Sequence, residues 1–301
     1  MVANYNMLEH SSSGLRVALV QLNVGADPAA NLAATLNLIA SAASAGAQLV
    51  ALPECANFIQ PNRAALREQL QPLEQDLTFL ALQEAAKRLG LYVLAGSLLV
   101  QNPHFVSGQD DQAPASNLQL LLDPAGQLVA QYSKINMFDA ALPNGEVYRE
   151  SALYQPGSQS LVTPLQVDEH GSPAPWKLGH SICFDLRYPE LYRHYSVDHQ
   201  ANIMLVPAAF TQKTGEAHWQ TLLRARAIET ASYVLAPAQC GEHAGGRRTF
   251  GHSMIVDPWG QVLVQAQDRP TVIMADLDLS AVVQARDSLP SWGKMAAFTR
   301  F

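Results

Sequence analysis

The chain has 301 residues, 48% of them hydrophobic and 15% charged, which excludes a disordered polymer and allows one large domain or two ordinary ones. Nineteen basic against 26 acidic residues give a net charge of −7, which argues against non-specific binding to nucleic acid or anionic membranes. Three cysteines, Cys55, Cys183 and Cys240, cannot pair completely and show no C-x-x-C spacing, so a reducing cytoplasm suits them better than a disulfide framework or a zinc site. The first fourteen residues read as a mobile tail without the basic and apolar regions of a secretory signal. No apolar run reaches the roughly 18 residues of a transmembrane helix.

From Leu15, LRVALVQLNV reads as a buried strand. Asp27-Pro28 supplies an N-cap and a first-turn proline, Leu32, Leu36 and Ile39 mark one helical face, and Gly46 stops the helix. AQLVALPE is a second strand ending at Glu54, and residues 57–71 read as a polar loop. Leu73, Leu77 and Leu80 continue a helix that stops near Gly90, and LYVLAGSLLV is a third strand. This alternation is that of an α/β layer. A polar insertion covers about residues 102–115, and two strands then flank the turn Asp123-Pro124-Ala125-Gly126. Residues 135–155 show little periodicity, and so long a loop in a compact domain points to function. After Cys183 the pattern returns as ANIMLVPAAF, a helix over 217–232 with Trp219, Leu222, Leu223 and Ile228 on its apolar side, and the strand SYVLAPAQC. A hairpin about Asp257-Pro258-Trp259-Gly260 and the strand TVIMADLDL follow. The two halves share a strand–helix–strand style, which suggests two similar sheets facing each other, and no linker separates domains.

Three predicted strand ends carry unusual residues: Glu54 after VALP, Lys134 after VAQYS and Cys183 after HSI. Strand ends in α/β folds are where ligand sites are built. A cysteine on a strand-to-helix turn, here opening toward Pro189, lies beside orphan helix N–H groups that favour a thiolate and can hold an oxyanion. A carboxylate, an ammonium and a thiol together form a workable hydrolase set: base, charge stabiliser and nucleophile. A packed structural cysteine is the competing reading, and it suits Cys55 and Cys240 better. The nine histidines show no H-x-x-x-H or H-E-x-x-H spacing, so neither a metal nor any other cofactor is expected.

LPECANF, YSKINMFD, ICFDLRYPELYR and AFTQKTGEAHWQTLLRARAIETASYVLAPAQCGEH, in this order, resemble the nitrilase superfamily of carbon–nitrogen hydrolases, over about Leu15 to Leu279. The resemblance implies a four-layer α-β-β-α sandwich, with Glu54 as general base, Lys134 as oxyanion stabiliser and Cys183 as nucleophile. It also implies a second glutamate after the lysine, for which Glu150 is favoured and Glu146 is the backup. Arg187 is placed to bind a substrate carboxylate, Phe210 to pack the substrate chain, and Thr214 to hydrogen-bond it or cap the next helix. Asp185, Arg187 and Glu190 could instead form an ion network that braces the turn. Arg247 and Arg248, with His243, read as a solvated basic loop.

Within the superfamily, LLRARAIETASYVLAPAQCGEH followed by RRTFGHSMIVDPWG looks most like the deaminated glutathione amidases. That implies hydrolysis of a small carboxylate-bearing amide to 2-oxoglutarate and cysteinylglycine. An ω-amidase acting on 2-oxoglutaramate is the alternative enzyme, and a non-catalytic interaction protein on the same fold is the alternative of another class. Asn136 stands where many relatives carry a histidine. The expected organisation is a tail over 1–14, a hydrolase domain over 15–288, and a C-terminal tail over 289–301. This last segment carries Trp292 and Phe298 and is expected at the interface of a homodimer or larger assembly.

Overall fold

A computed structural model describes residues 14–105, 115–142, 145–165 and 176–293. Residues 1–13 of the expected N-terminal tail, most of the 102–115 insertion and Phe298 lie outside the described residues, while residue 14 already belongs to the first strand. Strand β1 spans Gly14–Gln21, and helix α1 spans Pro28–Ser44. The Asp27 carboxylate accepts from the Ala29 and Ala30 amides and so caps α1. Strand β2 is short, Leu49–Ala51, and Glu54 lies three residues beyond it rather than at its last position. The expected loop at 57–71 contains helix α2, Arg63–Gln69, capped by Asn62. Helix α3, Leu77–Leu89, buries Phe79, Leu82, Ala85 and Ala86, while Leu77 and Leu80, the residues that suggest it in the sequence, are exposed. The leucine stripe therefore lies on the wrong side, because the inner face begins at Thr78 and Phe79.

Strand β3, Tyr92–Gln101, leads to β4, Ala115–Leu122, and β5, Leu128–Ser133, with the Asp123–Gly126 turn between the last two. The aperiodic stretch at 135–155 contains β6, Asp139–Ala141, β7, Val147–Arg149, and β8, Tyr154–Gln155. Strands β9, Val162–Pro164, and β10, Lys177–Gly179, precede a tight 3-10 turn at Cys183–Arg187 and helix α4, Pro189–His199. Then come β11, Ile203–Leu205, and helix α5, Gln212–Thr230, which starts five residues earlier than its apolar pattern suggests. The buried face of α5 carries Thr214, Gly215 and Arg226 beside Trp219 and Leu223, whereas Ile228 is exposed. Strands β12, Tyr233–Ala236, β13, Cys240–Glu242, β14, Arg248–Phe250, β15, Met254–Val256, β16, Val262–Gln265, and β17, Thr271–Asp278, lead to helix α6, Leu279–Ser288.

One sheet runs β17-β1-β2-β3-β4-β5, with β8 on β4, and the other runs β16-β15-β12-β11-β10-β9. Strands β1, β2 and β3 are mutually parallel, as are β10, β11 and β12, and antiparallel strands flank both trios. Side chains alternate across each strand. Leu15, Val17 and Leu19 of β1 enter one core with Ile203, Leu205, Tyr233 and Leu235 of the opposite sheet. Ala18 and Val20 join the core under α1 and α3. Met204 and Val234 face Tyr192 and Tyr195 of α4 and Trp219 and Leu223 of α5. The result is a four-layer α-β-β-α sandwich. The carboxyl ends of the two parallel trios meet, for Leu22 N–H bonds Ala238 O and Cys240 N–H bonds Leu22 O. No helix among the described residues is long and apolar enough to cross a membrane.

Candidate active site

A bulge in β3 positions Glu54. Its register with β4 slips between Ala95 and Leu98, and the freed Gly96-Ser97 pair takes hold of the chain beyond β2. Ser97 N–H bonds Pro53 O, Ala56 N–H bonds Ser97 O, and Cys55 N–H bonds Ser97 Oγ. A Cβ on Gly96 would lie 1.7 Å from Leu52 O and 2.5 Å from Pro207 Cβ, so only glycine permits this approach. Glu54, clamped between these bonds, is 2% exposed. Burial pushes its carboxyl up, but the Lys134 ammonium outweighs that and holds it below its ordinary value.

Lys134 follows β5 and is 1% exposed. Its Nζ reaches Glu54 Oε1 at 2.9 Å, and Glu150 Oε1 and Oε2 at 2.8 and 2.7 Å. Burial lowers the lysine pKa, but Glu150 and then Glu54 more than reverse this, so the group stays charged. Glu150 opens a short 3-10 turn after β7 and also accepts from Phe138 N–H at 2.6 Å. Its own pKa is raised by burial and by Glu54, with Lys134 opposing. Of the two candidate glutamates the structure brings Glu150 to the lysine; Glu146 accepts from the Tyr148 hydroxyl at 2.7 Å on the surface.

Cys183 stands on the turn after β10 with φ +49°, a left-handed conformation uncommon for a residue with a Cβ. Its N–H bonds Pro207 O at 2.9 Å, which ties the turn to the end of β11. Burial and the Glu54 charge raise the thiol pKa well above its usual value, with Lys134 pulling the other way. The resting group is therefore a neutral thiol, not the thiolate that helix N–H groups alone suggest. Carboxylate occupancy shows where its proton can go. Glu54 Oε1 already accepts from Lys134 and, at 3.0 Å, from Asn117 Nδ2, whereas Oε2 accepts one N–H among the described residues, that of Ala209 at 2.8 Å, and the Cys183 thiol itself hydrogen-bonds the Glu54 carboxylate. Each carboxylate oxygen has two acceptor sites, so Oε2 keeps one open. The Phe184 N–H, next past the sulfur, has no backbone acceptor outside its own turn among the described residues.

Asp185 is fully buried and accepts from Tyr132 OH at 2.7 Å, Asn136 N–H and Nδ2 at 2.9 and 2.8 Å, and Ile182 N–H at 3.0 Å. It braces the turn, and Asn136 serves as one of its partners. Arg187 and Glu190 take no part in that brace. Glu190 is exposed, and Arg187 lies over the rings of Phe184 and Phe210, 5.7 and 5.2 Å from their centroids, with Nη1 3.4 Å from His218 Nδ1. No carboxylate among the described residues pairs with Arg187, and burial alone lowers its pKa. Phe210 packs on Trp219, and Thr214 Oγ1 bonds Thr211 Oγ1 at 2.8 Å. Arg187, Phe210 and Thr214 all line the small cavity, about 20 Å³, that reaches Cys183, Glu54 and Lys134.

Four residues escape the sequence reading. Asn117 supports Glu54, and Gln239 Nε2 holds Glu54 O at 3.0 Å. Arg226 of α5 donates Nε and Nη2 to Leu186 O at 3.0 and 2.7 Å, fastening the turn behind Cys183. All three are buried. Asn117 does leave a signal, a polar side chain inside the apolar run NLQLLL, where a buried amide needs a partner. The fourth is Arg247. The sequence places it in a solvated loop, yet it is part-buried, donates Nη2 to Ala209 O at 2.9 Å and lines the same small cavity as Cys183. The fold of loop 243–247 against Pro61 and Ala209 carries it inward, while Arg248 stays exposed. His243 is buried between Val24 O and Thr249 Oγ1, and burial keeps its pKa low. Cys55 and Cys240 are buried free thiols. Among the described residues no cluster of His, Cys, Asp and Glu could hold a metal.

A thiol beside a carboxylate with an open acceptor site, an ammonium and a free amide can carry out acyl transfer. Comparison with known proteins leads the same way. Residues 16–287 match the carbon-nitrogen hydrolase family. A deaminated glutathione amidase of Synechocystis sp. is 40% identical over 266 residues, 87% of this chain and 90% of that protein. The crystal structure of the Caenorhabditis elegans NitFhit protein superposes with a TM-score of 0.81 at 33% identity; the match covers 93% of this chain and spans 64% of that longer one. A glutamate-to-glutamine mutant of the amidase from Nesterenkonia sp. AN1 superposes at 0.70 with 26% identity over 91% of this chain and 97% of that one, and there acrylamide has added to the active-site cysteine. The chain thus belongs to the carbon-nitrogen hydrolase family, within the nitrilase superfamily, and is an enzyme acting on amides.

Proposed function

We propose that Cys183 is the nucleophile of an amidase that hydrolyses deaminated glutathione to 2-oxoglutarate and cysteinylglycine. The observation that carries this is the buried Glu54–Lys134–Glu150 ion cluster facing the Cys183 thiol, with Arg187 at the same cavity and free of any carboxylate partner among the described residues. Relatives named deaminated glutathione amidase, at 36–40% identity, support the choice of substrate. Three reduced, buried cysteines suit a reducing cytoplasm.

The sulfur attacks the amide carbon, and its proton passes to Glu54 Oε2. Lys134 and the Phe184 N–H stabilise the oxyanion. The C–N bond breaks as Glu54 returns the proton to the departing amine, leaving a thioester on Cys183. Water then attacks the thioester carbon, Glu54 takes a proton from it, and cleavage of the C–S bond frees the acid and regenerates the thiol. Glu150 holds Lys134 in place and keeps it charged. Arg187 takes the carboxylate of the 2-oxo acid through its planar fork, with Phe210 against the chain.

Cys183→Ala should abolish turnover and leave the melting temperature within a few degrees of the parent, since the thiol contributes chemistry more than packing. Mass spectrometry during turnover should place the acyl adduct on Cys183. An adduct on another residue, or activity of Cys183→Ala within a few-fold of the parent, sinks the mechanism. A panel of deaminated glutathione, 2-oxoglutaramate, ureido acids and nitriles tests the substrate. Preference for 2-oxoglutaramate over deaminated glutathione would make the enzyme an ω-amidase instead.

A further inference from the structure

The inner cavity at Cys183 is small, about 20 Å³, and it adjoins a second cavity of about 690 Å³. Phe138, Glu150 and Arg247 line both and so form the rim between them. The larger volume lies within the range of small-molecule sites. Beyond the rim its wall carries Lys213, Arg149 and Arg248. Its carboxylates are engaged: Glu150 by Lys134, Glu146 by Tyr148 and Glu216 by Gln212 Nε2 at 2.8 Å.

Chemistry dictates which end of an amide occupies this vestibule. In a double displacement the amine must leave while the acyl group remains on sulfur, and water must then enter behind it. The amine side therefore faces the open volume, and the acyl side faces Arg187, Phe210 and Thr214, which line only the inner cavity. Arg247 stands where the amine substituent crosses the rim. One guanidinium nitrogen, Nη2, is bound to Ala209 O; among the described residues its buried Nε has no hydrogen-bond partner and no carboxylate pairs with it. A buried donor left unpaired is costly, and a guanidinium with no carboxylate in ion-pair contact among the described residues, Glu54 acting on it only from a distance, suits a carboxylate ligand.

We infer that the vestibule is a leaving-group subsite for a peptide-like amine ending in a carboxylate, and that Arg247 is its anion anchor. The inference rests on the proposed amidase reading and deepens it. It also accounts for how deaminated glutathione would be told from a primary amide bearing the same acyl group.

Calorimetric titration of cysteinylglycine and of cysteinylglycinamide into the wild-type enzyme tests the subsite without turnover. The free-carboxylate dipeptide should bind about tenfold more tightly than the capped one, and Arg247→Gln should erase that difference. Equal affinity for the two dipeptides, no binding of either into the millimolar range, or a difference that persists in Arg247→Gln overturns the inference. Should that variant fail to fold, wild-type kcat/KM for the 2-oxoglutaryl amide of glycylglycine against that of its terminal carboxamide decides, and equal values refute it. Failure to turn over any 2-oxoglutaryl amide would instead refute the amidase reading, while the dipeptide titration would still judge the subsite.

Discussion

Arg187 is where a single side chain separates specificity from support. Sequence alone leaves it between a substrate anchor and a brace for the turn. The brace is complete without it, since Asp185 is filled by Tyr132, Asn136 and Ile182. Its guanidinium instead lies at the inner cavity on two aromatic rings. Arg187→Lys keeps the charge and loses the planar fork. It should cost on the order of 2 kcal/mol, about thirty-fold in kcat/KM, for amides bearing a 2-oxo acid, with a smaller loss on neutral amides and no fall in melting temperature. Equal losses on both substrate classes together with a lower melting temperature would return Arg187 to a structural role. The titrating groups make a second prediction at this scale. Lys134 holds Glu54 below its ordinary value despite burial, and burial with Glu54 holds Cys183 above its own. The proposed mechanism needs Glu54 ionised and the thiol proton present. The kcat/KM profile should therefore be flat through neutrality, falling on the acid side only below the usual glutamate value of about 4.3 and on the alkaline side only above the usual thiol value of about 8.5. The stability signs are separate. Depressed Glu54 contributes stability above the ordinary carboxylate value and loses it as pH falls through its folded pKa; raised Lys134 contributes below the ordinary lysine value and loses it as pH rises through its own. A limb near neutrality, measured where circular dichroism shows a folded protein, would contradict this charge assignment.

Between residue and fold, the bulge of β3 is the element on which the site depends. Gly96 is needed there for space rather than for an unusual backbone angle, because a Cβ would strike main-chain Leu52 and the ring of Pro207. Leu52 leads to Glu54, and Pro207 O receives the Cys183 amide, so one added methyl group displaces the proposed base and nucleophile together. Gly96→Ala should cost about 3 kcal/mol, the upper end of overpacking, and lower kcat by a further factor at temperatures where the variant is still folded. Wild-type kcat in a folded Gly96→Ala enzyme would show that the bulge does not set the geometry. The same level shows what could be read in advance. Asp27 and the Asp123 and Asp257 turns were legible because one short side chain satisfies nearby amides, as Asp123 does for Ala125 and Gln127 and Asp257 for Trp259 and Gln261. Glu54, Lys134 and Cys183 stood out as charged or reactive groups closing apolar runs. Strands β6 and β7 were not legible, since each has only three residues and both lie largely at the surface. The start of α5 was hidden by its polar first turn. Arg247 was hidden because its burial depends on contacts with the Pro61 and Ala209 segments, both far away in the chain.

At the scale of the molecule, assembly is expected to involve the C-terminal tail, most of which lies outside the described residues. Within the chain, Arg286 lies 4.3 Å from the Trp292 ring centroid, and Arg193 holds Ser291 O and Gly293 O. A different apolar patch is uncovered. Ile228 and Trp259 are 49% and 59% exposed, and Gly260 brings their segments together, for its Cβ would lie 2.6 Å from Ile228 Cδ1. Arg224 Nε fastens the same turn through Gly260 O at 2.7 Å. An exposed tryptophan and an exposed isoleucine on neighbouring segments are well suited to the centre of an interface. We expect a homodimer or larger assembly that buries this patch. In light scattering at micromolar concentration the parent should run at twice its chain mass or more, and Trp259→Glu or Ile228→Glu should shift it toward the monomer, because an unpaired charge in a dry interface is costly. Both positions lie outside the two cavities, so the substitutions should act on assembly before they act on chemistry. A parent that is monomeric at that concentration refutes the assembly itself; an oligomer unchanged by either substitution places its interface elsewhere on the sandwich.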